Sequence, residues 1–195
     1  MRQIGEARIP ALPAETLSKL ELTMTQLQDF IRDIPDFPKA GILYRDITPL
    51  LASPEAFQLS IGSMAERLQK HSFDEILAIE SRGFIFGAAL ALKLKVPFHL
   101  VRKPGKLPGE VVWEEYALEY GTDKLELHTD VIAPNKRYAI VDDVIATGGT
   151  ANAVRQLTEK NKGVVACSVF LIELLDCNGR AALGECPVET ILTYN

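Results

Sequence analysis

Residues 138–150 read Tyr-Ala-Ile-Val-Asp-Asp-Val-Ile-Ala-Thr-Gly-Gly-Thr. A compact apolar run, Tyr138 to Val141, leads into two adjacent carboxylates, Asp142 and Asp143, and then into a small-residue turn, Ala146-Thr147-Gly148-Gly149-Thr150, that opens onto a helix-forming segment. A short β-rich run with turn residues at its end is the pattern of a buried parallel strand, and ligands of open α/β sheets gather at the carboxyl ends of such strands. The spacing therefore predicts strand, loop and helix start, with the loop as the binding element. Gly148 and Gly149 allow close approach of the backbone, and the unpaired N–H groups of the helix start suit a phosphate.

The acid pair narrows the ligand. Ionised carboxylates only accept hydrogen bonds, so they suit hydroxyls or a metal ion rather than the phosphate itself. A ribose 5-phosphate offers vicinal hydroxyls at one end and the anion at the other. A Walker loop is excluded because Gly149, not lysine, precedes Thr150, and no G-x-G-x-x-G follows the strand. The plainer alternative is a βα turn whose glycines serve packing alone.

The chain has 195 residues, 47% of them hydrophobic, with both charge signs interspersed. That suits one globular domain with a sizeable core. A net charge of −5 argues against a general nucleic-acid or membrane-surface binder, so an anionic ligand must be met by local cations. Cys167, Cys177 and Cys186 lack C-x-x-C spacing and read as reduced thiols of a cytoplasmic protein. His71, His99 and His128 have no metal-ligand spacing, and no apolar run is long enough for a membrane span.

Residues 1–22, interrupted by Pro10 and Pro13, are an extension of uncertain order, and 23–195 form a single domain. From Thr23 the spacing of Leu27, Phe30, Ile31 and Ile34 predicts a helix ended by Pro35. The proline-rich stretch to Pro49 is too apolar for a solvated linker and should lie against the body, with Ile42 and Ile47 as core residues. Ser53-Pro54-Glu55 starts another helix, with Phe57, Ile61, Met64 and Leu68 on its apolar face. Glu75 to Glu80 reads as a strand, followed by Ser81-Arg82-Gly83 and an apolar helix from Phe84 to Leu94. This second strand-turn-helix carries an arginine at its anion-binding turn; Arg82 paired with Glu80 at the surface is the alternative.

Val96 to Val101 is a third strand, and Arg102, Lys103 and Lys106 stand on the Pro/Gly loop behind it. In an acidic protein they suggest a lid over phosphates. Glu114–Tyr120 and Lys124–His128 alternate in polarity around Gly121-Thr122, as a β-hairpin does. Thr150 to Lys162 is helical with Ala153, Val154 and Leu157 inward, Val164 to Ile172 is a buried strand, and Pro187 to Tyr194 is a final one.

The 138–150 motif resembles the diphosphate-sugar motif of the phosphoribosyltransferases. Glu80-Ser81-Arg82-Gly83-Phe84, Phe37-Pro38-x-x-Gly41 and Leu118-Glu119-Tyr120-Gly121 narrow the resemblance to members acting on adenine. It implies the type I α/β fold, a mostly parallel central sheet flanked by helices, with a small hood at about 35–50 and a flexible lid at about 102–128. The implied reaction is purine salvage: adenine and 5-phospho-α-D-ribose 1-diphosphate (PRPP) give AMP and diphosphate. Asp142, Asp143 and Ala146 to Thr150 would hold the ribose phosphate, and Ser81, Arg82, Arg102, Lys103 and Lys106 the pyrophosphate. Leu43 through its backbone, Tyr44, Arg82 and Leu174 would meet adenine, though on sequence alone Leu43 and Tyr44 read equally as core residues. Mg2+ would be held mainly by substrate oxygens, with waters to Asp142 or Asp143, and lid cations reaching a neighbour's site would require a homodimer. Many related purine transferases carry an aspartate at the place of Ala146, where it handles the N7 proton. Alanine cannot, so the resemblance points to Glu119 as general acid and base, the alternative being a solvent-facing strand residue. A different purine base, or a non-catalytic PRPP-binding regulator, remains open; the absence of a basic helix-turn-helix stretch disfavours the regulator.

Overall fold

The computed structural model describes residues 24–117 and 122–195. The N-terminal extension and the hairpin tip at 118–121, with Glu119, lie outside the described residues. The chain enters through α1 (Met24–Leu27) and a 3-10 turn (Gln28–Phe30), then extends as β1 (Arg32–Ile34). The helix expected to continue to Pro35 therefore stops at Phe30. Proline disfavours helical geometry in the residue before it. Arg32–Ile34 instead takes antiparallel backbone partners from β2 (Tyr44–Asp46), with Arg32 opposite Asp46. Leu27 is fully buried.

α2 (Thr48–Ala52) carries Pro49 in its first turn, where a missing N–H leaves no bond unmade. Ser53 caps α3 (Pro54–Leu68), its Oγ accepting from the Ala56 amide at 3.2 Å. Ile61, Met64 and Leu68 are buried along that helix as their spacing requires, as is Ile47. Ile42, by contrast, is exposed rather than core.

β3 (Glu75–Ile79), α4 (Gly83–Leu94) and β4 (Phe98–Val101) form a parallel βαβ unit. An antiparallel hairpin, β5 (Val111–Ala117) and β6 (Thr122–His128), is inserted before the second half. That half runs β7 (Arg137–Ile145), α5 (Gly149–Lys160), β8 (Val164–Leu174), α6 (Gly179–Ala182) and β9 (Val188–Tyr194). The five-stranded sheet has the order β4-β3-β7-β8-β9 and is parallel throughout.

Alternate strand residues feed two cores, as a sheet buried on both faces demands. Ile76, Ala78, Ala139 and Val141 pack with Met64 and Leu68 of α3 and Phe86 and Leu90 of α4. Leu77, Ile79, Tyr138 and Ile140 pack with Val154 and Leu157 of α5 and Leu125 and Leu127 of β6. The hairpin is pinned over α5 by Lys160 Nζ, which donates to Glu114 Oε1 at 2.6 Å.

The strand order decides where a ligand fits. β3 and β7 are neighbours, yet the chain leaves β3 toward β4 on one side and leaves β7 toward β8 and β9 on the other. Loops at such a switch point diverge and open a crevice at the carboxyl edge of the sheet.

Candidate active site

One wall of the crevice is the loop after β7. Gly148, at φ +77°, begins α5, and no side chain caps that helix, so its first amides are left for a ligand. A cavity of about 110 Å³ lies over Ala146 to Ala151, with Asp142 at its edge. Gly148 is required for a reason beyond ligand approach: a Cβ there would sit 2.2 Å from the Gly179 carbonyl oxygen.

The acid pair belongs to β7 itself, since the strand continues through Ile145 rather than ending at Val141. Asp142 borders both this cavity and a larger cleft of about 700 Å³. Asp143 is buried, 4% exposed, with Arg82 Nε 2.8 Å from its Oδ2. That oxygen lacks an aligned hydrogen bond, so the contact is an ion pair. Burial, and then the charge of Asp143, push the Asp142 carboxyl well above the usual carboxylate range. Burial also raises Asp143, opposed by Arg82. Gly83, at the start of α4, makes room for the pair, because a Cβ there would lie 2.8 Å from Asp142 Oδ1.

Arg82 joins this floor to the hood. Its Nη1 donates to Tyr44 Oη at 2.6 Å, and its guanidinium sits 5.1 Å from the Tyr44 ring centre. The surface pairing with Glu80 does not occur. Leu43, Tyr44, Arg82 and Leu174 come together around a mostly apolar slot of about 110 Å³. Leu43 is 43% exposed there, which sets it apart from a core residue.

The cleft is roofed from the insertion. Of the three loop cations only Lys103 lines it, 3.3 Å from Asp123 Oδ2. Arg102 turns aside, donating through Nε to Glu80 Oε2 at 3.2 Å and through Nη1 to the Lys106 carbonyl at 3.0 Å. Lys106 stands exposed on the loop. Ser81 lines the cleft beside Glu80, and so do Tyr116, Asp123 and Leu125, which the sequence motifs did not single out. Their signal is tertiary: hairpin residues with no motif of their own reach the cleft because β5 and β6 fold over α5.

Among the described residues no group of three or more His, Cys, Asp and Glu could hold a metal by itself, and no helix is long and apolar enough to cross a membrane. Two of the three histidines serve carboxylates away from the cleft, with His99 Nε2 2.8 Å from Glu75 Oε2 and His71 Nε2 3.0 Å from Glu189 Oε1.

A phosphoribosyl transferase domain model matches residues 46–178, a span holding both loops and the insertion. The adenine phosphoribosyltransferase of Pseudothermotoga lettingae is 54% identical over 168 residues, 86% of this chain and 99% of that protein. Among solved structures, the adenine phosphoribosyltransferase of Thermoanaerobacter pseudethanolicus superposes with a TM-score of 0.86 at 47% identity, covering 88% of this chain and all of that one. The Saccharomyces cerevisiae enzyme, solved with an imino-altritol bisphosphate and adenine, gives 0.80 at 39% identity, covering 86% of this chain and 97% of that one. With a switch-point crevice between two strand-turn-helix loops and this likeness along nearly the full length of its relatives, the chain belongs to the phosphoribosyltransferase family, beside the adenine phosphoribosyltransferases.

Proposed function

We propose that the protein transfers the 5-phosphoribosyl group from PRPP to adenine, forming AMP and releasing diphosphate. The observation that carries this reading is the convergence on one crevice of an uncapped anion loop, an acid pair and an apolar slot. N9 of adenine, in the tautomer protonated at N7, attacks C1′ while the bond from C1′ to diphosphate oxygen breaks, the leaving group taking the electron pair and the N7 proton passing to Glu119. The amides of Ala146 to Thr150 hold the 5′-phosphate, and Asp142 and Asp143 face the ribose hydroxyls. Ser81 and Arg82 stabilise the departing diphosphate, with Lys103 above them, and Arg102 and Lys106 join on lid closure. Leu43, Tyr44 and Leu174 enclose the base, and Arg82 donates toward its N7 once the proton has left that atom.

The site also fits Mg2+, because two oxygen-donor carboxylates, Asp142 and Asp143, line the cleft. When bound, the ion would be held by substrate oxygens and by waters on Asp142 or Asp143, and would supply charge neutralisation for the diphosphate. Exposed Leu92 and Ile85, seven residues apart on one face of α4, support a homodimer. Glu119 takes the role of acid and base at N7, since Ala146 in the phosphate loop cannot. Glu119→Leu is expected to lower turnover about a hundredfold; an unchanged pH–rate profile would remove that role. The overall reading is tested by diphosphate release from PRPP with adenine, hypoxanthine, guanine and xanthine in turn. Adenine should be strongly preferred, and equal rates with another base would refute the assignment.

A further inference from the structure

We infer that Arg180 is a positioning residue for the phosphate loop: clamped onto Glu173, it holds Gly179 against Ala146 and Gly148 and so sets the spacing of the anion-binding amides. The inference rests on the reading that this loop takes the 5′-phosphate.

Two chain segments meet here backbone to backbone. A Cβ on Gly179 would lie 2.2 Å from the Ala146 carbonyl oxygen, and one on Gly148 would lie 2.2 Å from that of Gly179. No side chain separates them, so a shift of Gly179 moves the loop directly. Gly179 itself opens a helix of one turn, which has little hold on its own position.

The next residue supplies that hold. Arg180 Nε donates to Glu173 Oε1 at 2.5 Å and Nη2 to Glu173 Oε2 at 2.7 Å, a bidentate fork. Nη1 donates to the Val188 carbonyl at 2.6 Å and Nη2 to Thr190 Oγ1 at 3.0 Å. Thr190 in turn donates to Glu173 Oε2 at 2.9 Å. Glu173 is 4% exposed, and it pairs in register with Ile145, the residue just before Ala146. The anchor and the loop's entry are thus neighbouring strand positions. Arg180 touches neither cavity of the cleft, so its effect on the reaction passes through the loop.

Arg180→Lys keeps the charge and loses the fork, whereas Gly179→Ala leaves the ion pair intact and presses on Ala146. Calorimetric titration with ribose 5-phosphate and with adenine separates the outcomes. Both variants are expected to bind ribose 5-phosphate about tenfold more weakly, with adenine affinity held, and KM for PRPP should rise with kcat little changed. Wild-type affinity for ribose 5-phosphate in Arg180→Lys would overturn the proposal and leave the proposed function standing, even if the unfolding midpoint fell. If Arg180→Lys does not fold, Thr190→Val, which removes the hydroxyl bonded to both Arg180 and Glu173, decides by the same titration. A wild-type protein that does not bind ribose 5-phosphate would instead overturn the reading of the loop, and this proposal with it.

Discussion

Arg82 shows how one residue links the parts of the crevice. Its Nε lies against Asp143 and its Nη1 against Tyr44, so the acid pair and the apolar slot share a single rigid fork, which lysine could not provide. Asp142 lies beside this pair with its carboxyl raised by burial and by Asp143. The unliganded protein therefore bears the cost of a buried acid pair, and a ligand with hydroxyls or a cation relieves it. Each unit of upward shift corresponds to about 1.4 kcal/mol. Asp142→Asn removes the ionisable group at nearly constant shape, so it should raise the unliganded unfolding midpoint by about 2–4 °C for each kcal/mol relieved. It should also weaken PRPP binding by about tenfold or more. Calorimetry with and without PRPP checks both arms. An unchanged PRPP affinity would take Asp142 out of the ribose contacts, and a lower unliganded midpoint would mean its charge is already balanced.

At the scale of elements, legibility followed the range of the interactions involved. The two strand-turn-helix units could be read because their signals are local: β-prone runs, then Gly83 or Gly148 where only glycine fits. The segment from Met24 to Ile34 misled because helical spacing of Leu27, Phe30 and Ile31 persists across a single turn. What ended that turn was pairing with Tyr44–Asp46 farther along the chain. The same reason hid Tyr116 and Asp123, which reach the cleft only through the hairpin's fold over α5. Glu75, too, reads as an ordinary strand residue, yet it ties three strands at their amino ends. His99 of β4 lies 2.8 Å from its Oε2, and Lys136, just before β7, donates to Oε1 at 2.6 Å. Burial alone would raise this carboxyl, but the hydrogen bonds from Lys136 and His99 outweigh it and hold the group below its ordinary 4.5. A lowered folded pKa contributes stability above the unfolded value, and that contribution fades as pH falls through the folded one. Glu75→Gln should thus cost about 1–3 kcal/mol at pH 7, and the deficit should shrink as the pH is taken below about 4. Thermal unfolding across that range checks it; an equal deficit at both ends would show that packing, not charge, makes the difference.

For the whole molecule, the problem is that a chain of net charge −5 must hold two phosphate-bearing ends of one substrate. The topology answers it by concentrating helix starts at one edge. α4 begins beside Arg82 and α5 at Gly148, both from neighbouring strands, so local backbone dipoles oppose the overall sign. The apolar slot opens next to the same edge, sharing Arg82 and Val144 with the cleft. A ligand that spans loop and slot then binds its second part at high effective concentration, because the first has already fixed its place. AMP is such a ligand, while ribose 5-phosphate and adenine each fill one end. AMP should therefore bind about tenfold or more tightly than ribose 5-phosphate. Leu174→Ala, which opens the slot without altering the cavity over Ala146 to Ala151, should bring the two affinities together by weakening AMP alone. Titration calorimetry of both ligands against both proteins measures the ratio directly. If the wild-type protein binds AMP and ribose 5-phosphate equally well, the slot is not continuous with the sugar site, and Leu43, Tyr44 and Leu174 lose their place around the base.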